Sequence, residues 1–171
     1  MLKRIHAFGL SLFFAIGFCS TAIAQDIMPP KGDVILTVSG DINSTNVEET
    51  LQFDLDALIK LDQTTFETTT IWTEGKHTFQ GVSLDVFVSL IGAENATLFA
   101  TAINDYTVEI PSTEAKSDGP IIAYFMDGKP MSVREKGPLW IVFPYDSKAD
   151  YRSEVVYSRS IWQLDRIDVS K

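Results

Sequence analysis

Two apolar runs constrain this chain more than any other feature. Residues 121–126 read IIAYFM and residues 139–143 read LWIVF, both rich in β-branched and aromatic side chains. Runs of this length punctuated by Gly and Pro read as buried strands joined by turns. The connection between them holds Asp127-Gly128, Pro130 and Lys136-Gly137-Pro138, residue types that turns are made of. The rest of the chain is organised around this pair.

The first residues predict an export leader over 1–24. Lys3 and Arg4 form a basic start, 8–18 an apolar core, and Ala22-Ile23-Ala24 a cleavage site before Gln25. The apolar core is too short for a permanent anchor, so the protein is expected to be exported and not to span a membrane. Bulky Phe18 argues against lipid modification of Cys19. Loss of Lys3 and Arg4 takes the basic residues from 14 to 12 against 23 acids, a net charge of −11. A surface that acidic argues against nucleic acid and against anionic membrane as partners. Cys19 and His6 leave with the leader, and His77 is then the one histidine. No disulfide or thiolate nucleophile remains, and Cys/His zinc sites and multi-histidine catalysis are argued against.

Residues 25–33 contain Pro29-Pro30 and Gly32 and read as a loose arm; 34–171 read as one domain. Strands are expected at 34–39 and 51–53. Asp54 stands where it can cap a helix built on Leu55, Leu58 and Ile59. The Thr-rich stretch 64–72 predicts a strand, broken at Glu74-Gly75-Lys76, and 79–82 leads to Ser83, a second N-cap. Leu84, Phe87, Val88 and Ile91 fall on one helical face, and Gly92 supplies the stop. Strands at 97–103 and 107–110 are split by Asn104-Asp105-Tyr106 and closed by Pro111, and 112–119 is a polar loop. Residues 148–158 form a short helix or a loop, and 160–169 form a closing strand. Strands outnumber helices, which gives an α+β domain with a mixed sheet or barrel-like core.

Four segments, TTTIWTEG-x5-GVSL at 68–84, AINDYTVEIP at 102–111, AYFMDGKPM through GPLWIVFP, and SRSIWQLDRIDV at 158–169, share an order and a spacing. Together they resemble the molybdopterin-binding domain of the sulfite-oxidase-type oxidoreductases over 34–169, and most of all its small, exported, single-domain branch. The enzymes of that family hold molybdenum through a cysteine in the strand ahead of the first W-x-G segment. Threonine fills that region here, and a hard hydroxyl replaces a soft thiolate poorly. The resemblance therefore implies a pterin-binding protein without molybdenum, not an oxygen-transfer enzyme. It also implies a membrane-bound partner, an enzyme of cyclic-di-GMP signalling. The alternative it leaves is an oxidoreductase whose molybdenum is held by the cofactor alone.

A pterin needs an apolar or aromatic slot and an acceptor for its two adjacent N–H groups. Asp105 can accept both, while Asn-Asp also suits a plain turn. Trp72 and Tyr106 read as slot walls or as core, and Trp140 and Trp162, inside apolar runs, as core. His77 reads as a surface histidine or a polar contact at the slot mouth. Arg134 and Lys136 read as a solvated hairpin tip or as contacts to an anionic or carbonyl group, and the resemblance implies the same contact for Arg159, which matches a basic position before the family's final strand. Asp54 and Asp56 are explained by the helix start.

Overall fold

The computed structural model describes residues 27–171, so the leader, with His6 and Cys19, lies outside the described residues. These residues form ten strands and three α-helices. β1 (Leu36–Gly40) and β2 (Leu51–Phe53) lead into α1 (Leu55–Ile59), and β3 (Gln63–Thr69) and β4 (Lys76–Ser83) lead into α2 (Leu84–Ile91). β5 (Thr97–Ala102) and β6 (Thr107–Pro111) form a hairpin, and β7 (Ile121–Met126) carries the two-residue β8 (Lys129–Pro130). β9 (Leu139–Val142), α3 (Glu154–Arg159) and β10 (Trp162–Ser170) complete the fold.

The two apolar runs are neighbours at the centre. β7 pairs antiparallel with β9, Ile122 opposite Ile141 and Ala123 opposite Trp140, and β4 covers the other edge of β7. The main path runs β2–β1–β10–β9–β7–β4–β3, with β5 also on β10 and β6 on β5. Only β1 and β10 run parallel; the other pairings are antiparallel. The result is the expected α+β domain, a mixed sheet curled into a half-barrel.

β10 serves three neighbours. Trp162 and Leu164 face β9, Leu164 through Ser170 face β5, and Arg166 through Val169 face β1. Its buried apolar residues, Leu164, Ile167 and Val169, are spaced by three and then two, where a regular strand buries every second residue. Register shifts between Trp162 and Leu164, and between Leu164 and Arg166, supply the extra residues. The closing strand predicted over 160–169 is thus interrupted by bulges.

The helices follow their sequence signals closely. Leu84, Phe87, Val88 and Ile91 of α2 are buried, and Gly92 ends it at φ 68°, a left-handed position that favours glycine. Ser83 occupies the N-cap position without capping; its hydroxyl bonds the Asp85 carboxylate instead. Residues 148–158 resolve into a 3-10 turn (Ala149–Tyr151) and α3, whose cap Ser153 accepts from Val156 N–H. Gly81 lies at the register shift between β4 and β7, where a Cβ would collide with the Ile122 carbonyl.

The arm predicted to be loose is tied down over its described part. Asp54 is only 7% exposed, and one carboxylate oxygen accepts Lys31 N–H at 2.9 Å and Gly32 N–H at 2.8 Å. The other accepts Ala57 N–H at 2.8 Å, which caps α1 as expected. These bonds, from Gly32 first and then Ala57, hold the Asp54 carboxyl below its ordinary value of 3.8. Replacing Asp54 by Ala removes the cap and the arm clamp together, at an expected cost of about 2 kcal/mol at neutral pH. Because the folded pKa is depressed, this contribution is complete above pH 3.8 and is lost as the pH falls through the lower folded value. Urea unfolding of both proteins at neutral and acid pH checks this: the gap between them should shrink on acidification.

Candidate functional site

β3 ends earlier than the sequence predicts, at Thr69, because Thr70 starts a turn. Its hydroxyl oxygen accepts Trp72 N–H at 3.1 Å and Thr73 N–H at 3.0 Å. That turn swings Trp72 off the strand and onto a set of aromatic rings. Its centroid lies 5.5 Å from Trp162, 5.7 Å from Tyr157, 5.8 Å from Trp140 and 6.1 Å from Tyr145, all edge-on. Edge-to-face contacts of this kind each add to simple burial.

Beside this cluster opens a cleft of about 360 Å³. Trp72, Tyr106, Tyr157 and Trp162 supply aromatic wall, Ala102 and Ile161 aliphatic wall, and Asn104, Ser158, Ser160 and Gln163 the polar lining. Among the described residues, none of those lining it is charged. The size lies within the range of about 300–1,000 Å³ typical of small-molecule pockets.

Three segments frame the cleft. The β5–β6 tip closes with Asp105 N–H to Ala102 O and Ala102 N–H to Tyr106 O, both 2.9 Å, and Asn104 Oδ1 accepts Tyr106 N–H at 3.2 Å. The turn forces Asp105 to φ 67° and leaves Tyr106 57% exposed at the mouth. From the end of α3, buried Ser160 donates to Val156 O at 2.9 Å and accepts the Tyr145 hydroxyl at 2.6 Å. Burial pushes the Tyr145 phenol well above its ordinary range, so it remains a donor. The start of β10 brings Trp162 and Gln163.

The expected site residues divide cleanly. Trp72, Asn104 and Tyr106 line the cleft together. Asp105 does not: it is 85% exposed, and its carboxylate is paired with Arg166. His77 holds the wall turn from outside, its ring nitrogens 2.7 Å from Asp127 Oδ2 and 2.9 Å from Glu74 O. The His77 bond, then Thr78 N–H, keeps the Asp127 carboxyl below its ordinary value. Arg159 pairs with Glu114 at 2.9 Å, and Arg134 is exposed on the 131–137 loop; neither lines the cleft. Lys136 lies behind the wall, its Nζ 4.0 Å over the Trp162 ring, and burial lowers its pKa. Of the two tryptophans read as core, Trp140 is fully buried and donates to Ser160 O at 3.3 Å, whereas Trp162 is a cleft wall. Tyr157, Ser158, Ser160, Ile161 and Gln163 were not foreseen; the uneven apolar spacing over 161–169 marked the irregular strand start that presents two of them.

The fold has a solved counterpart. The chain is similar to the crystal structure of the sulfane dehydrogenase SoxCD from Paracoccus pantotrophus, with a TM-score of 0.58 and 18% sequence identity over 78% of this chain. It spans 37% of that neighbour's length, and the likeness is one of fold. No protein-family model matches the sequence. No curated protein matches it.

The Tyr145–Ser160 bond anchors the cleft floor and is open to a direct check. Ser160→Ala leaves a buried phenol without its acceptor and should cost about 1–3 kcal/mol. Tyr145→Phe with Ser160→Ala should cost clearly less than the sum of the two single changes, as read by denaturant unfolding of all four proteins.

Proposed function

We propose that this chain is an exported, non-catalytic pterin-binding protein whose ligand occupies the aromatic cleft. The observation that carries the reading is the cleft's composition: four aromatic rings around an uncharged polar lining. A flat bicyclic ring stacks on such walls. Its amide-like edge can use two groups that carry no hydrogen bond to protein among the described residues, Asn104 Nδ2 as donor and Gln163 Oε1 as acceptor. Asn104 is exposed and Gln163 half-buried, so both groups are open to a ligand entering from solvent. The ordered motifs that resemble the sulfite-oxidase-type domain, and the sulfite-oxidase-like fold, support the same ligand class.

A molybdenum-bearing cofactor fits these residues poorly. Among the described residues, the cleft offers no thiolate, imidazole or carboxylate to a metal and no Lys or Arg to a phosphate. Thr68, in the strand where the resemblance places a cysteine, is fully buried, and its hydroxyl is engaged with Asp146 N–H at 3.1 Å and Thr69 O at 3.3 Å. Among the described residues no group of three or more His, Cys, Asp or Glu side chains is arranged to hold a metal ion. The reading of the chain as an oxidoreductase with cofactor-held molybdenum therefore ranks second.

The biological role we propose is regulatory: a periplasmic protein whose occupancy is sensed by a membrane-bound enzyme of cyclic-di-GMP signalling. Support for this part comes from the resemblance and from the predicted leader. Sensing requires a ligand that binds two conformations unequally.

Calorimetry with 6-methyltetrahydropterin tests the ligand reading. Tyr106 is exposed enough to remove without harm to the fold, and Tyr106→Ala should weaken binding about tenfold or more, the usual worth of one stacking ring. Asp105→Ala should leave affinity within about threefold, since only a solvent-exposed pairing is lost. Unchanged affinity in Tyr106→Ala, or stoichiometric molybdenum in protein recovered from its native compartment, would contradict the reading.

A further inference from the structure

Trp162 and Gln163 are consecutive, both line the cleft, and both hold one loop from behind. That loop is residues 131–137. Lys136 Nζ sits 4.0 Å over the Trp162 ring. Gln163 N–H donates to Lys136 O at 3.0 Å, and its side-chain Nε2 donates to Val133 O at 2.6 Å. On the opposite side Gln163 O accepts Ile103 N–H at 2.9 Å, which ties in the β5–β6 tip. One residue therefore joins two loops that are distant in sequence.

Gln163 does this in an unusual conformation. Its φ is 52°, a left-handed position disfavoured for residues other than glycine. Such a conformation persists where surrounding contacts over-determine it, and these concentrate at functional sites. The bulge between Trp162 and Leu164 places the residue there. Beyond it the loop is itself ordered: the amides of Glu135, Lys136 and Gly137 all donate to Ser132 O. Its outer side shows Val133, 51% exposed, beside exposed Arg134.

We infer that Gln163 is a positioning residue that couples the cleft to the 131–137 loop, making that loop the surface on which occupancy is displayed. The ligand-dependent half of this inference rests on the proposed pterin reading. A flat ligand against Trp162 restrains residues 162–163 and, through the Val133 and Lys136 contacts, the loop behind them. Order gained at the cleft is then order already present when a partner meets Val133 and Arg134.

Hydrogen–deuterium exchange on the full protein, with and without saturating 6-methyltetrahydropterin, tests the coupling. Gln163→Gly accepts the left-handed conformation freely and keeps the main-chain bonds; it removes the side-chain tie together with the Oε1 acceptor offered to the ligand, so the coupling is decided by the ligand-free comparison. Gln163→Asn tolerates the same backbone and is too short to preserve the original bond to Val133. Without ligand, amides 135–137 should exchange about tenfold faster in both variants while those of the β5–β6 hairpin stay as they are, a local opening and not a global one. Ligand should slow the loop in the wild-type protein and leave it fast in the variants. Unchanged loop exchange in both variants would overturn the coupling. So would loop and hairpin accelerating together, which would make Gln163 a contributor to overall stability. A wild-type protein that binds no pterin overturns the ligand reading, while the ligand-free comparison still decides the coupling.

Discussion

The structure depends on one strand meeting the demands of three neighbours. β10 takes β1 in parallel and β5 antiparallel along its later residues, and β9 along its first. A straight strand with strict alternation would have to place Leu164, Ile167 and Val169 on different faces. The register shifts around Leu164 let all three reach the core while Arg166 stays outside. β5 and β9 both pair with Leu164, and beyond it the β5–β6 tip and the start of β10 are joined by the Ile103 to Gln163 bond. The cleft lies beside that junction, with Ala102 and Asn104 from the one and Trp162 and Gln163 from the other in its lining. Sheet closure and site are thus products of the same irregularity.

Charge in and around the cleft is distributed by a simple rule. An uncharged, aromatic interior suits a neutral ring, because an isolated ion there would lose its hydration. The ionic groups expected at the site are instead spent on its frame. Arg166 takes Asp105 and Asp165, Arg159 takes Glu114, and His77 contacts Asp127. The Asp105, Glu114 and Asp127 contacts each join separate segments, while Asp165 is Arg166's own neighbour on β10. Their individual worth is modest because they are solvent-accessible. Their placement fixes where the walls stand.

Much of this was legible in the sequence. The runs at 121–126 and 139–143 are adjacent central strands, the apolar face of α2 is buried, and Gly92 and Asp54 end and begin helices where their chemistry says they should. Local rules sufficed there because burial pattern and backbone preference agree. The cleft lining was only half legible. Trp72, Asn104 and Tyr106, which share the cleft, could be picked out because turns break strands at recognisable residues. Asp105 misled because a carboxylate in a turn looks alike whether it faces a ligand or, as here, an arginine 61 positions away. Gln163 was invisible, since nothing in a glutamine's identity announces a left-handed backbone. The arm misled for a related reason: Pro and Gly mark loose chain unless a distant carboxylate, here Asp54, gathers their amides.

The account's central claim is that a flat heterocycle seats between the Trp72 turn and the start of β10. The sequence holds three tryptophans, and they stand in different relations to that place: Trp72 and Trp162 line the cleft, while Trp140 is buried with its N–H on Ser160 O. A titration with 6-methyltetrahydropterin followed through the three indole N–H resonances therefore addresses the claim directly. Saturable shifts of the Trp72 and Trp162 signals, with Trp140 moving far less, are the predicted result. Three indole signals that stay in place at saturating ligand would contradict it.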